Sequence, residues 1–438
     1  MFIASKMHLS WLSKKVILNY MKWAGEALNY PFNILLSHGP QRFINSFNHK
    51  NIKKNCMITI GIDASNISSG GGVTHLIEIL GAVDMSRHSI KSIDVWAPKR
   101  TLDKIKPKPD LHLKHQWYLE ENALKRQFWQ RSFLTAYARN NYDILFVPGG
   151  SYTGSFRPVV TMNRNLLPFD TSERNRYGFS LQGLRMRLLE KTQSYTYRLA
   201  DGIIFLSEQA KRITEQTMDE KLPNAKIIPH GIASKFFQEP RAQKSIGDYS
   251  FEHPFRFLYV SPITLYKHQW HVIKAIHSLR DEGYPVALDL VGSITTKKGR
   301  DLFNQSVEEC DPENEWVFYH GKKNQQELLN FYHQADSFVF ASSCETFGQT
   351  LLEAMASGLP IACSDCSAMT EVLHNTGSYF DPENPKSIRQ ALKKLLDSAD
   401  FRQQLAMKAY KRAQTYSWEV CADRTFSLIN EVYKSEGK

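Results

Sequence analysis

The sequence predicts an α/β fold in which two helix-covered parallel sheets follow one another, preceded by an N-terminal extension of different character. Three observations carry this. From Met57 onward short apolar strand-like runs alternate with helix-like stretches; the alternation lapses from about Phe236 to Pro254; it then restarts. Such alternation implies a parallel sheet covered on its faces by helices. At about 150 residues per domain, a chain of 438 residues with 42% hydrophobic side chains has room for two or three such cores. A disordered chain is excluded.

The extension, residues 1–55, carries eight basic side chains against one acid, Glu26, and so holds seven of the eleven net positive charges. On a helical wheel Leu9, Leu12, Val16, Tyr20, Trp23 and Ala27 share one face, while Lys14, Lys15 and Lys22 lie opposite. Two readings are open: a helix resting on an anionic membrane surface, or one packed on its own domain. No stretch reaches the roughly 18 uninterrupted apolar residues of a spanning helix, and the lysines break the apolar core of a secretory signal. A cytoplasmic protein is expected, or one peripheral on the inner face of the cell membrane. Six scattered cysteines suit a reducing compartment. Cys363 and Cys366 form a C-x-x-C with no second ligand pair in view, and no metal site is expected.

The first domain spans 56–235. "MITIGID" reads as a strand, "SSGGG" as a turn and "VTHLIEILGAV" as a helix; "SIDVWA", "DILFVP", "VVTM", "GIIFLS" and "AKIIP" are further strands, and "LRMRLLEKTQSYTYRLA" is a helix. Residues 236–254 gather polar and turn residues and read as a linker. The second domain, 255–415, runs "FRFLYVS", a helix from His268, "VALDLVG", "EWVFYHG", "NQQELLNFYHQA", "DSFVFAS", "QTLLEAMASG" and "LPIACS". A last helix in 416–438 is expected to cross back to the first domain. It has Ser417 as its N-cap and an apolar face through Val420, Phe426, Ile429 and Val432.

The most informative stretch is "CETFGQTLLEAMASG". A strand ends just before it and a helix begins near Gln349, so the first free amides, around Phe347, Gly348, Gln349 and Thr350, point into the crevice at the sheet's carboxyl edge. Amides and helix dipole favour an anion there, most simply a diphosphate. Glu345 would sit beside that anion. Glu353, about one turn into the helix, would accept hydrogen bonds from a vicinal diol such as ribose. The alternative is a capping acid at Glu345 and a solvated helix acid at Glu353.

In its surroundings the pair resembles the carboxyl-terminal domain of the family 4 retaining glycosyltransferases, glycosyl transferases group 1, of bacterial surface-polysaccharide type. The run "FVFASSCETFGQTLLEAMASGLPIACSDCSAMTEVL" to "GSYFDPENP" carries the resemblance. It implies the GT-B fold, two Rossmann-like domains facing a cleft. It also implies that Glu345 contacts the donor sugar and Glu353 the ribose. "YVSPITLYKHQWHVIKAI" is similar to the family's phosphate-binding segment V-G-R-L-x-x-x-K-G, with Lys267 at the lysine and Ser261 among the donor-binding residues. Pro262 replaces the family's arginine, so either another cation supplies that charge, with Arg164, Lys297, Lys298 and Arg300 as candidates, or Lys267 carries it alone. "ASNISSGGGVTHL" resembles the glycine loop against the donor phosphates, which places Gly71 and Gly72 in the site. "VVTMNRNLLPFD" matches the segment where relatives carry a His-Asp; here Arg164 and Asn165 are expected to face the acceptor and diphosphate. His230, in "IPHGI", is assigned a structural role.

The resemblance thus implies a retaining hexosyltransferase that uses a nucleotide diphosphate sugar as co-substrate, with no other cofactor and no metal. Its acceptor would be a hydroxyl of a glycan or lipid-linked molecule in O-antigen, capsule or exopolysaccharide assembly. A nucleotide-sugar 2-epimerase would share the fold and donor but need no acceptor. A nucleic-acid binder would interleave basic and aromatic residues along a module; the concentration of charge before residue 55 argues against it.

Overall fold

The computed structural model describes residues 57–436. The extension, with its amphipathic pattern, lies outside the described residues. Among the described residues, thirteen strands form two wholly parallel sheets. In the first, β1 (Ile58–Asp63), β2 (Ile90–Trp96), β3 (Leu111–Lys114), β4 (Ile144–Val147), β5 (Val159–Met162), β6 (Gly202–Phe205) and β7 (Ala225–Ile227) stand in the order 3-2-1-4-5-6-7. In the second, β8 (Phe255–Val260), β9 (Val286–Val291), β10 (Val317–Tyr319), β11 (Ser337–Phe340), β12 (Ile361–Ser364) and β13 (Ser378–Phe380) stand in the order 10-9-8-11-12-13. Central strands such as β4, β9 and β11 are buried at every position. That is why they read as unbroken apolar runs rather than as alternation.

Helices of eight residues or more are α1 (Gly71–Ala82), α2 (Leu181–Leu199), α3 (Glu208–Met218), α4 (Gln269–Asp281) and α5 (Lys297–Cys310), then α6 (Gln325–Gln334), α7 (Gln349–Ala356), α8 (Pro385–Asp397), α9 (Ala399–Ala413) and α10 (Trp418–Glu436). Their starts follow local chemistry. Ser180, Ser207, Thr296 and Asn324 each accept a backbone N–H at the first turn of α2, α3, α5 and α6. Pro385 opens α8 at a position where no amide is needed.

Both sheets reverse their strand order once, between β1 and β4 in the first and between β8 and β11 in the second. Ligands of open α/β sheets bind outside the carboxyl ends of the strands at such switch points. The glycine loop follows β1, the Pro262 segment follows β8 and the Glu345 turn follows β11. All three therefore meet the requirement that topology sets.

Helix α10 returns to the first sheet. Ser417 Oγ accepts the Val420 amide at 3.1 Å, Asn430 donates to the His88 carbonyl at 2.6 Å, and Val432 packs so close to Gly202 that a Cβ there would lie 2.9 Å from its methyl. Phe426, Ile429 and Val432 are buried as expected, but Val420 is exposed, because the helix seats on β6 and α1 through a stripe that runs by Cys421, Ala422 and Thr425 and passes Val420 by. The polar segment after Phe236 is fixed to the second domain. Arg402, fully buried on α9, donates to the carbonyls of Lys244, Leu395 and Leu396 and to Gln243 Oε1. The two domains also touch directly. Ser207 Oγ donates to the Thr346 carbonyl at 2.8 Å, and the Glu371 carboxylate accepts the Glu208 and Gln209 amides at 3.0 and 3.2 Å, capping α3 from the other domain. No helix among the described residues is long and apolar enough to cross a membrane.

Candidate active site

At the end of β11 the Glu345 carboxylate accepts from Ser342 Oγ at 2.8 Å and forms an ion pair with the Lys267 ammonium. Its backbone is clasped by Ser367, whose hydroxyl donates to the Glu345 carbonyl at 2.7 Å and accepts the Glu345 amide at 2.9 Å. Lys267 reaches it from a short turn, Leu265–Lys267, that His268 closes in the left-handed region at φ 51°. The Lys267 side chain is only 7% exposed, and its ammonium lies 4.7 Å from the centre of the Phe340 ring and 5.3 Å from that of Tyr266. A charge this dry is stabilised by its carboxylate partner and by aromatic faces rather than by water. The capping alternative for Glu345 fails, since its carboxylate contacts Ser342 and Lys267 and not the helix amides.

Gly348 precedes α7 at φ 88°, and a Cβ there would lie 2.7 Å from the Met369 methyl. The Leu351 and Leu352 amides are the first to bond back, both to the Gly348 carbonyl, which leaves the earlier amides unspent within the helix. The Gln349 side chain reaches into the first domain. Its Nε2 donates to the Gly231 carbonyl at 3.1 Å, so its Oε1, 3.2 Å from His230 Nδ1, accepts, and His230 carries its proton on Nδ1. Phe347 is buried with its ring 5.5 Å from that of His230, and the Thr350 carbonyl accepts from Tyr332. Tyr332 also donates to Glu353 Oε2 at 2.9 Å. Glu353 is thus no solvated helix acid. It is buried, and burial raises its pKa to about 7.

On the first-domain side, Gly70 at φ 65° caps α1. The Arg164 guanidinium lies on Gly72, where a Cβ would sit 2.0 Å from Nη2, whereas a Cβ on Gly71 would meet nothing within 4 Å. Arg164 has no acidic partner among the described residues, and burial lowers its pKa to about 10. Beside it, His75 stacks on His230 with ring centres 4.8 Å apart, and Trp418 lies 5.4 Å from His230. Burial, and after it the Arg164 charge, pushes the His230 pKa down to about 3; His75 is lowered too, by burial, then by His230 and Arg164. Both imidazoles are held neutral chiefly by burial, with the nearby Arg164 charge acting in the same sense.

Sequence reasoning missed His75 and Trp418. The one available signal was a histidine inside the otherwise apolar α1 pattern. His230 lies between His75 and the Arg164 charge on the first-domain side and Phe347 and Gln349 at the start of α7.

Other expected residues are placed differently. Asn165 is exposed, its Oδ1 turned back onto the Leu167 amide at 3.2 Å, and it joins neither cluster. A local turn satisfies it, as asparagine commonly does in loops. Ser261 is buried with its hydroxyl committed, accepting from Gln269 at 2.9 Å and donating to the Pro262 carbonyl. It shapes the phosphate segment from within. Lys297, Lys298 and Arg300 are exposed at the start of α5. Glu173, His268 and Glu383 bring ligand atoms within 4.8 Å of one another, but the Arg176 guanidinium already bonds both carboxylates.

Residues 243–412 match the family model described as glycosyl transferases group 1. The O-antigen chain mannosyltransferase B of Escherichia coli is 31% identical over 127 residues, 29% of this chain and 33% of that protein. The chain thus spans about a third of the length of that curated relative. The sucrose-phosphate synthase of Thermosynechococcus elongatus superimposes with a TM-score of 0.65 at 18% identity, covering 86% of this chain and all of that one. The Anabaena protein Alr3699/HepE, in complex with UDP-glucose, superimposes with a TM-score of 0.62 at 16% identity, covering 84% and 98%. Residues 243–412 thus resemble a glycosyl transferases group 1 domain, and both sheets together have the GT-B fold.

Proposed function

We propose that this chain is a family 4 retaining hexosyltransferase that moves a sugar from a nucleotide diphosphate donor to a hydroxyl of a glycan or lipid-linked acceptor. The observation that carries the reading is the convergence of cations and free amides at the two switch points: Lys267 with Glu345 at the second, and Arg164 on Gly72 at the first. The diphosphate would lie against the α7 amides and Lys267, with Arg164 supplying the charge that Pro262 removes. This is electrostatic stabilisation of a leaving group by preorganised donors. Glu345 would orient the sugar. The departing phosphate oxygen would take the acceptor proton as the new bond forms on the same face, which gives retention without a metal.

Glu353 would accept both ribose hydroxyls. That requires the ionised carboxylate, so nucleotide affinity is expected to rise with pH through about 7 and flatten above it. The folded-state pKa lies above the ordinary 4.5. The same group therefore favours the fold at low pH, and that contribution fades as pH rises through about 7. Thermal-shift titrations with UDP, GDP, ADP, CMP and dTDP, repeated from pH 5.5 to 8.5, test this. One diphosphate should stabilise the protein by roughly 2.7 kcal/mol at a hundredfold excess over Kd. Glu353→Gln should abolish the pH-dependent part beyond the nucleotide's own titration. A profile unchanged in Glu353→Gln would remove Glu353 from the nucleotide site.

The O-antigen relative supports a surface-polysaccharide acceptor made at the inner face of the membrane. Residues 1–55 would then add an electrostatic hold on anionic lipid. Deleting residues 1–50 should lower the membrane-bound fraction severalfold; equal partitioning would count against the extension as an anchor.

A further inference from the structure

Helix α2 is apolar on its solvent side as well as on its buried side. It buries Met186 and Tyr197 together with Gln193, Ser194 and Thr196, whereas Leu181, Leu184, Leu188, Tyr195 and Leu199 are exposed, Leu181 at 89%. At 3.6 residues per turn those five fall in a stripe about 60° wide. Phe179, 98% exposed, extends the stripe just before the helix. Arg185 borders it on one side, and Arg187 and Lys191 on the other, all exposed and without an acid partner among the described residues. Arg187 lies 5.5 Å over the Phe179 ring. The one acid on the helix, Glu190, is half-buried and paired with Arg174 at 3.5 Å. The helix Ala123–Trp129 of the same domain also exposes Leu124 and Phe128.

A contiguous apolar stripe of this kind marks a contact surface. We infer that this face of the first domain binds an anionic lipid bilayer. Charge selects this occupant over the others. The basic extension, residues 1–55, would meet like charge on both sides of the stripe. A second copy of the chain, paired about a twofold axis, would bring Arg185, Arg187 and Lys191 against their own equivalents. A bilayer supplies an apolar layer for the leucines and Phe179 and anionic headgroups for the flanking cations in one arrangement. None of these residues belongs to the Lys267, Glu345 and Arg164 cluster, and the inference does not depend on the proposed transfer reaction.

The test is co-sedimentation of the full chain with vesicles of phosphatidylcholine alone and of phosphatidylcholine mixed with phosphatidylglycerol. The wild type should pellet with the mixed vesicles only. Leu184→Ser/Leu188→Ser should lower the partition coefficient about tenfold. Arg187→Glu/Lys191→Glu should lower it at least about 25-fold, with a weaker dependence on salt. Because all four residues are exposed, thermal unfolding and the nucleotide-induced shift should match the wild type in both variants. Wild type that ignores mixed vesicles overturns the inference. So do variants that pellet like the wild type, which would leave the binding to residues 1–55. If instead the variants change self-association in sedimentation velocity while vesicle binding is unaltered, the face is a contact between copies and the inference is wrong.

Discussion

Lys267→Ala is expected to lower kcat by about a thousandfold, at the upper end for loss of one preorganised group that stabilises developing negative charge. The size follows from where the ammonium sits. It is nearly dry, over Phe340 and beside Tyr266, and in a medium of low effective dielectric a single charge is worth several times its value in water. Donor binding should weaken less than turnover, because charge on the diphosphate grows as the glycosidic bond breaks. The substitution also strips Glu345 of its ion-pair partner, so a loss of stability would follow from a purely structural role too. The double variant Lys267→Ala/Glu345→Gln separates the two. It relieves the unpaired carboxylate and should restore the thermal midpoint while leaving kcat at the level of Lys267→Ala or below. Recovery of kcat along with stability would mean that the lysine serves only to neutralise Glu345.

The legible parts of this molecule were those whose physics is local. Strands buried on both faces write themselves as apolar runs, as in "DILFVP" and "VALDLVG", and serine or asparagine before an apolar period marks a helix start. The turn between β11 and α7 could be placed for the same reason, and with it both acids. The edge strands β3 and β13 were not legible. They are four and three residues long, and β3 exposes His112 and Leu113, so neither period nor composition marks it. The burial of Glu353 was also out of reach, because the ring that covers it, Tyr332, comes from a different helix. Helix α2 departs from the usual inference, since it buries Met186 and Tyr197 and still leaves a leucine stripe in solvent. A leucine stripe at helical spacing normally faces the core, and only the assembled domain shows Gln193 inside and Leu184 outside. Arg164 was a candidate by sequence position, but its seat on Gly72 joins residues more than ninety apart.

That seat makes the second large effect testable as a pair. Arg164→Ala is expected to lower kcat/KM about a hundredfold, because it removes the unpaired first-domain cation proposed to stand in for the arginine lost at Pro262. Arg164→Lys should recover part of this, since it keeps a point charge but loses the planar fork that matches phosphate. Gly72→Ala probes the same group without touching it. A methyl there would lie 2.0 Å from Nη2, and the atom it meets is the far end of a flexible side chain, so the chain should fold while the guanidinium moves aside. Alanine costs nothing in helix propensity at the first turn of α1. A loss of about tenfold in kcat/KM, near the scale of one displaced charge-assisted hydrogen bond, is expected with an unchanged thermal midpoint. If Gly72 acts by positioning Arg164, then Gly72→Ala/Arg164→Ala should be no worse than Arg164→Ala alone. Losses that multiply would show two independent roles, one for the backbone of the glycine loop and one for the cation, and would release Gly72 from the positioning assigned to it.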